Sequence, residues 1–203
     1  MPSAVFFNSY KLKKGSSVPD FLQAVEMLIT EYASKQKGFL SFMLFNDGDT
    51  WADMGVFETL EDAKNFENPT GTNEYAQKFY SFLNFNSCRS RMYTVERSHQ
   101  CQTAAPKAAM FITFKLAKGA GVPEFSNAAD KAHSEYISKQ KGYGSWMQLN
   151  AGETWADLVT WASIEDAQNA MAASGESAAA REFFPFLDGE SVKSHFYSVE
   201  QSC

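Results

Sequence analysis

Cysteine and histidine are scarce in this chain, three of each in 203 residues. Cys88, Cys101 and Cys203 are odd in number and none recurs as cysteine in the other copy described below, so neither a disulfide framework nor a zinc site is expected, and Cys101 and Cys203 read as incidental thiols. Lys and Arg number 18 against 24 acidic residues, for a net charge of −6. With no basic stripe, nucleic acid is not an expected partner. No apolar run is long enough to span a bilayer. The opening MPSAVFF has no basic region followed by an apolar signal stretch. A cytoplasmic protein without a membrane partner is the resulting expectation. Gly-rich phosphate loops, metal-ligand clusters and a Ser-His-Asp context are also lacking, which argues against nucleotide, metal and hydrolase chemistry.

What is present is a duplication. Phe7–Ser98 returns as Phe111–Ser202 without a gap, at a constant offset: Trp51 matches Trp155 and Glu96 matches Glu200. KLKKGSSVPDF (Lys11–Phe21) becomes KLAKGAGVPEF (Lys115–Phe125), and EYASKQKGF (Glu31–Phe39) becomes EYISKQKGY (Glu135–Tyr143). The chain therefore reads as repeat 1 (1–98), a polar Ala/Pro-containing linker (99–107) and repeat 2 (108–203). Each repeat has the size of a minimal independent domain. Aromatic residues make up 15% of the chain, with 18 Phe, which suggests a Phe-rich core or an aromatic-lined cavity.

Within a repeat, alternation over Val5–Leu12 and Met110–Leu116 predicts a strand. Val-Pro-Asp/Glu opens a helix, which Gln-Lys-Gly (Gln36–Gly38, Gln140–Gly142) ends. Strands over Phe39–Asn46 and Trp51–Glu58 form a hairpin around Asn-Asp-Gly-Asp, as do Tyr143–Asn150 and Trp155–Ala162. Thr59 and Ser163 cap a second helix. A less regular stretch then leads to a last strand, Arg89–Val95 or Lys193–Val199. The order β-α-β-β-α-β is the ferredoxin-like split pattern. The fold class is thus α+β, two ferredoxin-like repeats. Each sheet, covered by helices on one face, wants a partner for the other. The expectation is an α/β barrel within one chain, a pseudo-dimer that is itself monomeric or weakly oligomeric.

Gln-x-Gly-[Phe/Tyr] after the first helix, Gly-x-x-Trp-x-Asp at the third strand, Trp-x-Ser-x-Glu-Asp-Ala (Trp161–Ala167) and Phe-Phe-x-Phe-Leu-Asp (Phe183–Asp188) carry a resemblance. The chain resembles the antibiotic-biosynthesis-monooxygenase-like family of dimeric α/β barrels, as a tandem duplication. The resemblance implies a cofactor-free monooxygenase acting on a small hydrophobic or aromatic molecule. The alternative is a barrel that binds small molecules without turnover, or a purely structural one. Haem-degrading relatives use an Asn, a Trp and a His. Asn8 matches the first, Phe66 stands at the second and no His follows; in repeat 2 Ile112 and Ala170 stand at the matching positions. Haem chemistry, and any metal site, is therefore not expected.

Such an oxygenase needs apolar walls with a few polar groups to orient and deprotonate the substrate. Asn8 breaks the apolar alternation of its strand, and His133 replaces Ile29 in a helical apolar stripe; these are the catalytic candidates. Trp146, Gln148 and Trp161 replace Phe42, Leu44 and Phe57, and His195 replaces Arg91. With Phe66, Tyr32 and Tyr136 these are the substrate-binding candidates. Each also has a structural reading: a core aromatic, a satisfied histidine or an amide bonded to backbone. Asp53 and Asp157, inside a strand in both copies, read as architectural, with Lys37/Lys141, a turn or the opposite sheet as partner. Because Asn8 and His133 are not shared between copies, the two cavities are expected to be unequal, at most one being a working site.

Overall fold

The computed structural model describes residues 3–70, 72–100 and 105–203, the side chains of 68–70 apart. Cys101 lies outside them. The chain forms two compact units, Met1–Val95 with Glu200–Cys203, and Glu96–Val199.

The first unit runs β1 (Ala4–Leu12), α1 (Val18–Glu31), β2 (Phe39–Asn46), β3 (Trp51–Phe57), α2 (Leu60–Thr70), α3 (Glu74–Tyr80) and β4 (Leu83–Gln100), of which residues through Val95 belong here. β1 lies between β3 and β4, and β2 pairs on the far side of β3, all antiparallel. The register sets Asp53 opposite Asn8 on β1 and opposite Leu44 on β2. The last residue of the chain completes this unit: Cys203 and Phe42 exchange both backbone hydrogen bonds at 3.0 Å.

The second unit repeats the order with β5 (Ala108–Phe114), α4 (Val122–Glu135), β6 (Tyr143–Ala151), β7 (Thr154–Trp161), α5 (Ile164–Ala173), α6 (Ala178–Phe183) and β8 (Lys193–Ser202, through Val199 here). Its sheet order is β8-β5-β7-β6. Asp157 falls opposite Ile112 on β5 and Gln148 on β6. Residues Glu96–Gln100 of β4 also belong to this unit. Among the described residues no helix is long and apolar enough to cross a membrane.

Local chemistry explains the elements. Pro19 and Pro123 occupy the first turns of α1 and α4, where a missing N–H costs nothing. Both helices stop at a short 3-10 turn, and Gly38 and Gly142 then take the left-handed conformation, with φ of 72° and 76°. In the hairpins the Asn46 and Asn150 side-chain oxygens accept the Gly48 and Gly152 N–H groups. Asp62 N–H donates to the Thr59 hydroxyl, whose own O–H returns to Asp62 Oδ2; Ser163 and Asp166 do the same. Lys37 and Lys141 reach these capping carboxylates, at 3.5 and 3.3 Å, and so do not pair with Asp53 or Asp157. The shorter helices α3 and α6 occupy the stretch expected to be irregular. Each has its own cap: the Asn73 side chain accepts from the Tyr75 and Ala76 N–H groups, and the Ser177 hydroxyl from Ala180 N–H.

The close approach at Gly142 can be checked directly. A Cβ there would stand 2.6 Å from Asp166 Oδ2 on top of an unfavourable φ. Gly142→Ala is expected to lower stability by about 1–2 kcal/mol in chemical denaturation.

Candidate functional site

The two repeats place a buried carboxylate at the same point of the third strand and surround it differently. In the first unit, Asn8 Nδ2 donates to Asp53 Oδ1 at 2.8 Å. In the second, position 112 is an isoleucine and the amide comes from the other neighbouring strand: Gln148 Nε2 donates to Asp157 Oδ1 at 3.3 Å. Trp146, two residues away on the same face of β6, adds its indole N–H to the same oxygen at 3.0 Å. Both bonds fall on Oδ1, and no hydrogen bond reaches Asp157 Oδ2 among the described residues. The Gln148 carbonyl oxygen in turn accepts from Arg97 at 2.6 Å, and Arg97 Nε pairs with Asp130 at 2.9 Å. Burial is the dominant influence on both carboxyls and raises each to about 6; the donors oppose it only in part.

Asp157 lines an apolar cavity of about 120 Å³ under α4, α5 and α6. Its walls include Met110, Trp146, Val159, Trp161, Tyr136 and Phe183, and Met171 and Phe184, both exposed on their outer sides, stand at its edge. The indole N–H of Trp161 is buried in this lining without a hydrogen-bond partner among the described residues. The Tyr136 hydroxyl donates its proton to the Ala170 carbonyl.

Why repeat 2 has this space follows from four matched positions. Phe6, Val25, Leu28 and Phe66 of the first repeat are Met110, Ala129, Ala132 and Ala170 of the second. In the first repeat Phe66 stacks on Phe6 (5.5 Å between centroids, 4° between planes) and also meets Phe57 and Tyr32 at 5.2 and 5.5 Å. Phe6 in turn lies directly over Gly55, where a Cβ would collide with its ring; the second repeat has Val159 there. Phenylalanine to alanine at position 170 removes the ring that fills this volume. The first repeat instead has a half-open pocket of about 280 Å³ lined by Asn8, Asp53, Glu67 and Tyr80 among others.

The remaining sequence candidates fall in three places. Phe42, Phe57, Phe66 and Tyr32 are packed into the core of the first unit. His133 sits beside an open cleft with Arg97, His99 and Asp130. Its ring stacks on Trp146 and on His99, at 4.8 and 4.4 Å, and its Nε2 shares a 2.8 Å hydrogen bond with the Tyr143 hydroxyl. Burial first, and the neighbouring His99 second, lower its pKa. Trp146 links the two regions, since it lines the cavity and carries the His133 ring. His195 is exposed on β8, stacked on Tyr197. Asp157, Met110, Ala170 and Arg97 were not among the candidates. The signal for Ala170 was available as the loss of Phe66 between copies. Arg97 gave none, because its role depends on where β4 leads.

Among the described residues no three His, Cys, Asp or Glu side chains converge as metal ligands. The second-repeat cavity has room for a single ring and not for a porphyrin, and α2, α3, α5 and α6 contain no His. The residues of this site therefore do not fit haem.

No family model and no curated protein matches the sequence. Solved structures do match the fold. A presumed monooxygenase of Fusobacterium nucleatum superposes with a TM-score of 0.70 at 10% identity, over 99% of this chain and 94% of that one. An anthrone oxidase-like protein gives 0.60 at 13%, over 100% and 93%. A ferredoxin-fold protein of Listeria monocytogenes related to antibiotic biosynthesis monooxygenases gives 0.57 at 11%, over 98% and 95%. The chain shares their fold along nearly its whole length.

Two measurements test this description. Phe66→Ala is expected to cost about 3–5 kcal/mol by opening a cavity that the first repeat keeps closed. For Asp157, the folded state favours the protonated acid. Its contribution is therefore fully present below the ordinary carboxylate range near 3.8 and is lost as pH rises through about 6. Asp157→Asn, which imitates the protonated form, should match the wild type at pH 4 and exceed its stability by about 2–3 kcal/mol at pH 7.5 in denaturant titrations at both pH values.

Proposed function

We propose that repeat 2 is the working half of a monooxygenase-like protein, oxidising a small electron-rich phenol of about one ring without a bound cofactor. The observation that carries this reading is that one apolar cavity is lined both by Asp157, whose Oδ2 receives no hydrogen bond among the described residues, and by Trp161, whose buried indole N–H has no acceptor among them. The names of the structural neighbours support it.

Asp157 Oδ2 accepts the proton of the substrate, and the Trp161 N–H meets the negative charge that develops on its oxygen. The electron-rich anion then transfers one electron to molecular oxygen. The resulting radical and superoxide combine to form a carbon–oxygen bond. Loss of water from the peroxide, with the proton returned by Asp157, leaves a quinone: one phenol and one O₂ give one quinone and one water. The base must be ionised, so turnover rises with pH through about 6. A cavity of about 120 Å³ sets the substrate size; an engineered cavity of roughly 150 Å³ holds benzene. A tricyclic anthrone would need Met171 and Phe184 to swing outward. In this reading Trp146, Trp161 and Tyr136 form the walls, Gln148 orients Asp157, and His133 buttresses Trp146 rather than taking the proton.

Oxygen uptake, corrected for uncatalysed oxidation, with a series of substituted hydroquinones and larger phenols is the test. Expected are activity confined to the single-ring members, loss of at least about a hundredfold in Asp157→Asn, loss in Ala170→Phe, and near-normal rates in His133→Ala. Loss of turnover in His133→Ala with Asp157→Asn unaffected would move the base to His133. Saturable binding without oxygen uptake, abolished by Ala170→Phe, would establish a carrier instead.

A further inference from the structure

We propose that the first repeat holds a second binding site, independent of turnover in the second repeat, which takes an organic amine in its protonated form. The half-open pocket of about 280 Å³ is built around Asp53 and Glu67. Asp53 is 3% exposed; its Oδ1 is held by Asn8, while Oδ2 has no partner in full hydrogen-bond geometry among the described residues. The Tyr10 hydroxyl stands beside it, and burial first, then the Asp53 carboxylate, raises the phenol's pKa, so Tyr10 stays neutral and supplies no positive charge. Glu67 lies near enough for its charge to act on Asp53. Two carboxylates thus face one pocket, and among the described residues neither is ion-paired; ionising the buried one is costly unless a ligand brings the missing charge.

The protein's own cations do not bring it. Arg89 lines the pocket, yet its Nη1 donates to the carbonyls of Cys88 at 2.8 Å and Asn86 at 3.4 Å, and no ion pair joins it to Asp53 or Glu67 among the described residues. Lys78 is placed over the Phe82 ring, 5.3 Å from its centroid. Aromatic walls from Phe79, Tyr80 and Phe85 suit the apolar body of an amine and offer ring faces to its charge. Burial, with the charges of Asp53 and Glu67, raises Tyr80 to about 12, so it stays a neutral phenol.

The duplication supplies an internal control. Asn8, Tyr10, Glu67, Tyr80 and Cys88 correspond to Ile112, Phe114, Met171, Phe184 and Val192. Five side chains around one retained aspartate are polar or ionisable in the first repeat and apolar in the second. Such a concerted difference around a single point is what two different ligands would demand. The small number of His, Cys, Asp and Glu groups in reach favours an organic cation over a metal ion.

Calorimetric titration of the full chain at pH 7.5 and low salt, with tyramine and its neutral isostere 2-(4-hydroxyphenyl)ethanol as probes, decides the matter. Tyramine is expected to bind saturably and at least about tenfold more tightly than the alcohol. Asp53→Asn and Glu67→Gln should each erase that preference, and Ala170→Phe should leave it intact. Glu67 is exposed on α2, so Glu67→Gln remains informative if Asp53→Asn fails to fold. Equal affinity for the two probes, no saturable binding, or a preference unchanged in Glu67→Gln would overturn the proposal. So would loss of tyramine binding in Ala170→Phe, which would put the amine in the other cavity.

Discussion

A carboxylate in the middle of a strand must be met by hydrogen-bond donors or be driven towards its neutral form, and both repeats are organised around that requirement. The antiparallel register puts one residue of each neighbouring strand directly across from the aspartate. A single amide from either side can reach it. The first repeat draws its amide from β1 and the second from β6. The choice has consequences beyond the bond itself. With the amide on β1, the neighbouring strand is free to carry Leu44, and the side chains beyond the carboxylate are polar. With the amide on β6, β1's counterpart carries Ile112, and the carboxylate looks onto hydrocarbon. One interaction made from opposite sides thus separates a polar pocket from an apolar one.

The second difference is volume. Close-packed interiors register the loss of single rings. The first repeat spends Phe6 and Phe66 on filling the region beneath its helices, whereas Met110 and Ala170 leave it open in the second. Neither difference disturbs the backbone: the hairpins, the proline-started helices and the capping aspartates recur in both copies. Scaffold and chemistry are therefore specified by different residues. The scaffold residues are the ones the copies share, Asp53 and Asp157 apart, since these belong to both sets.

The element order was legible because each element announces itself over a short span. Val-Pro-Asp/Glu, Asn-x-Gly and Thr/Ser before Glu-Asp each encode one local geometry. The helices α3 and α6 escaped because they are short and follow polar segments in which Asn73 and Ser177 look like loop residues rather than caps. The partner of Asp157 escaped for a different reason. Knowing that Gln148 lies opposite requires the inter-strand register, which no single strand contains. Arg97 and His99 were harder still, because they lie past the expected end of β4, at the edge of the presumed linker, yet meet Gln148 and His133. The cavity itself is a difference between side-chain volumes at four distant positions. It can be read from the sequence only when the second copy is used as a ruler for the first.

The embrace of Phe6 and Gly55 gives this divergence a direction in time. A branched side chain cannot arrive at position 55 while the phenyl ring lies over it. A lineage seeking to reopen that half must therefore shrink Phe6 before it enlarges Gly55, passing through an intermediate with a void and no compensating gain. Mutational history can enter this arrangement more easily than leave it, a ratchet made from one ring and one missing carbon.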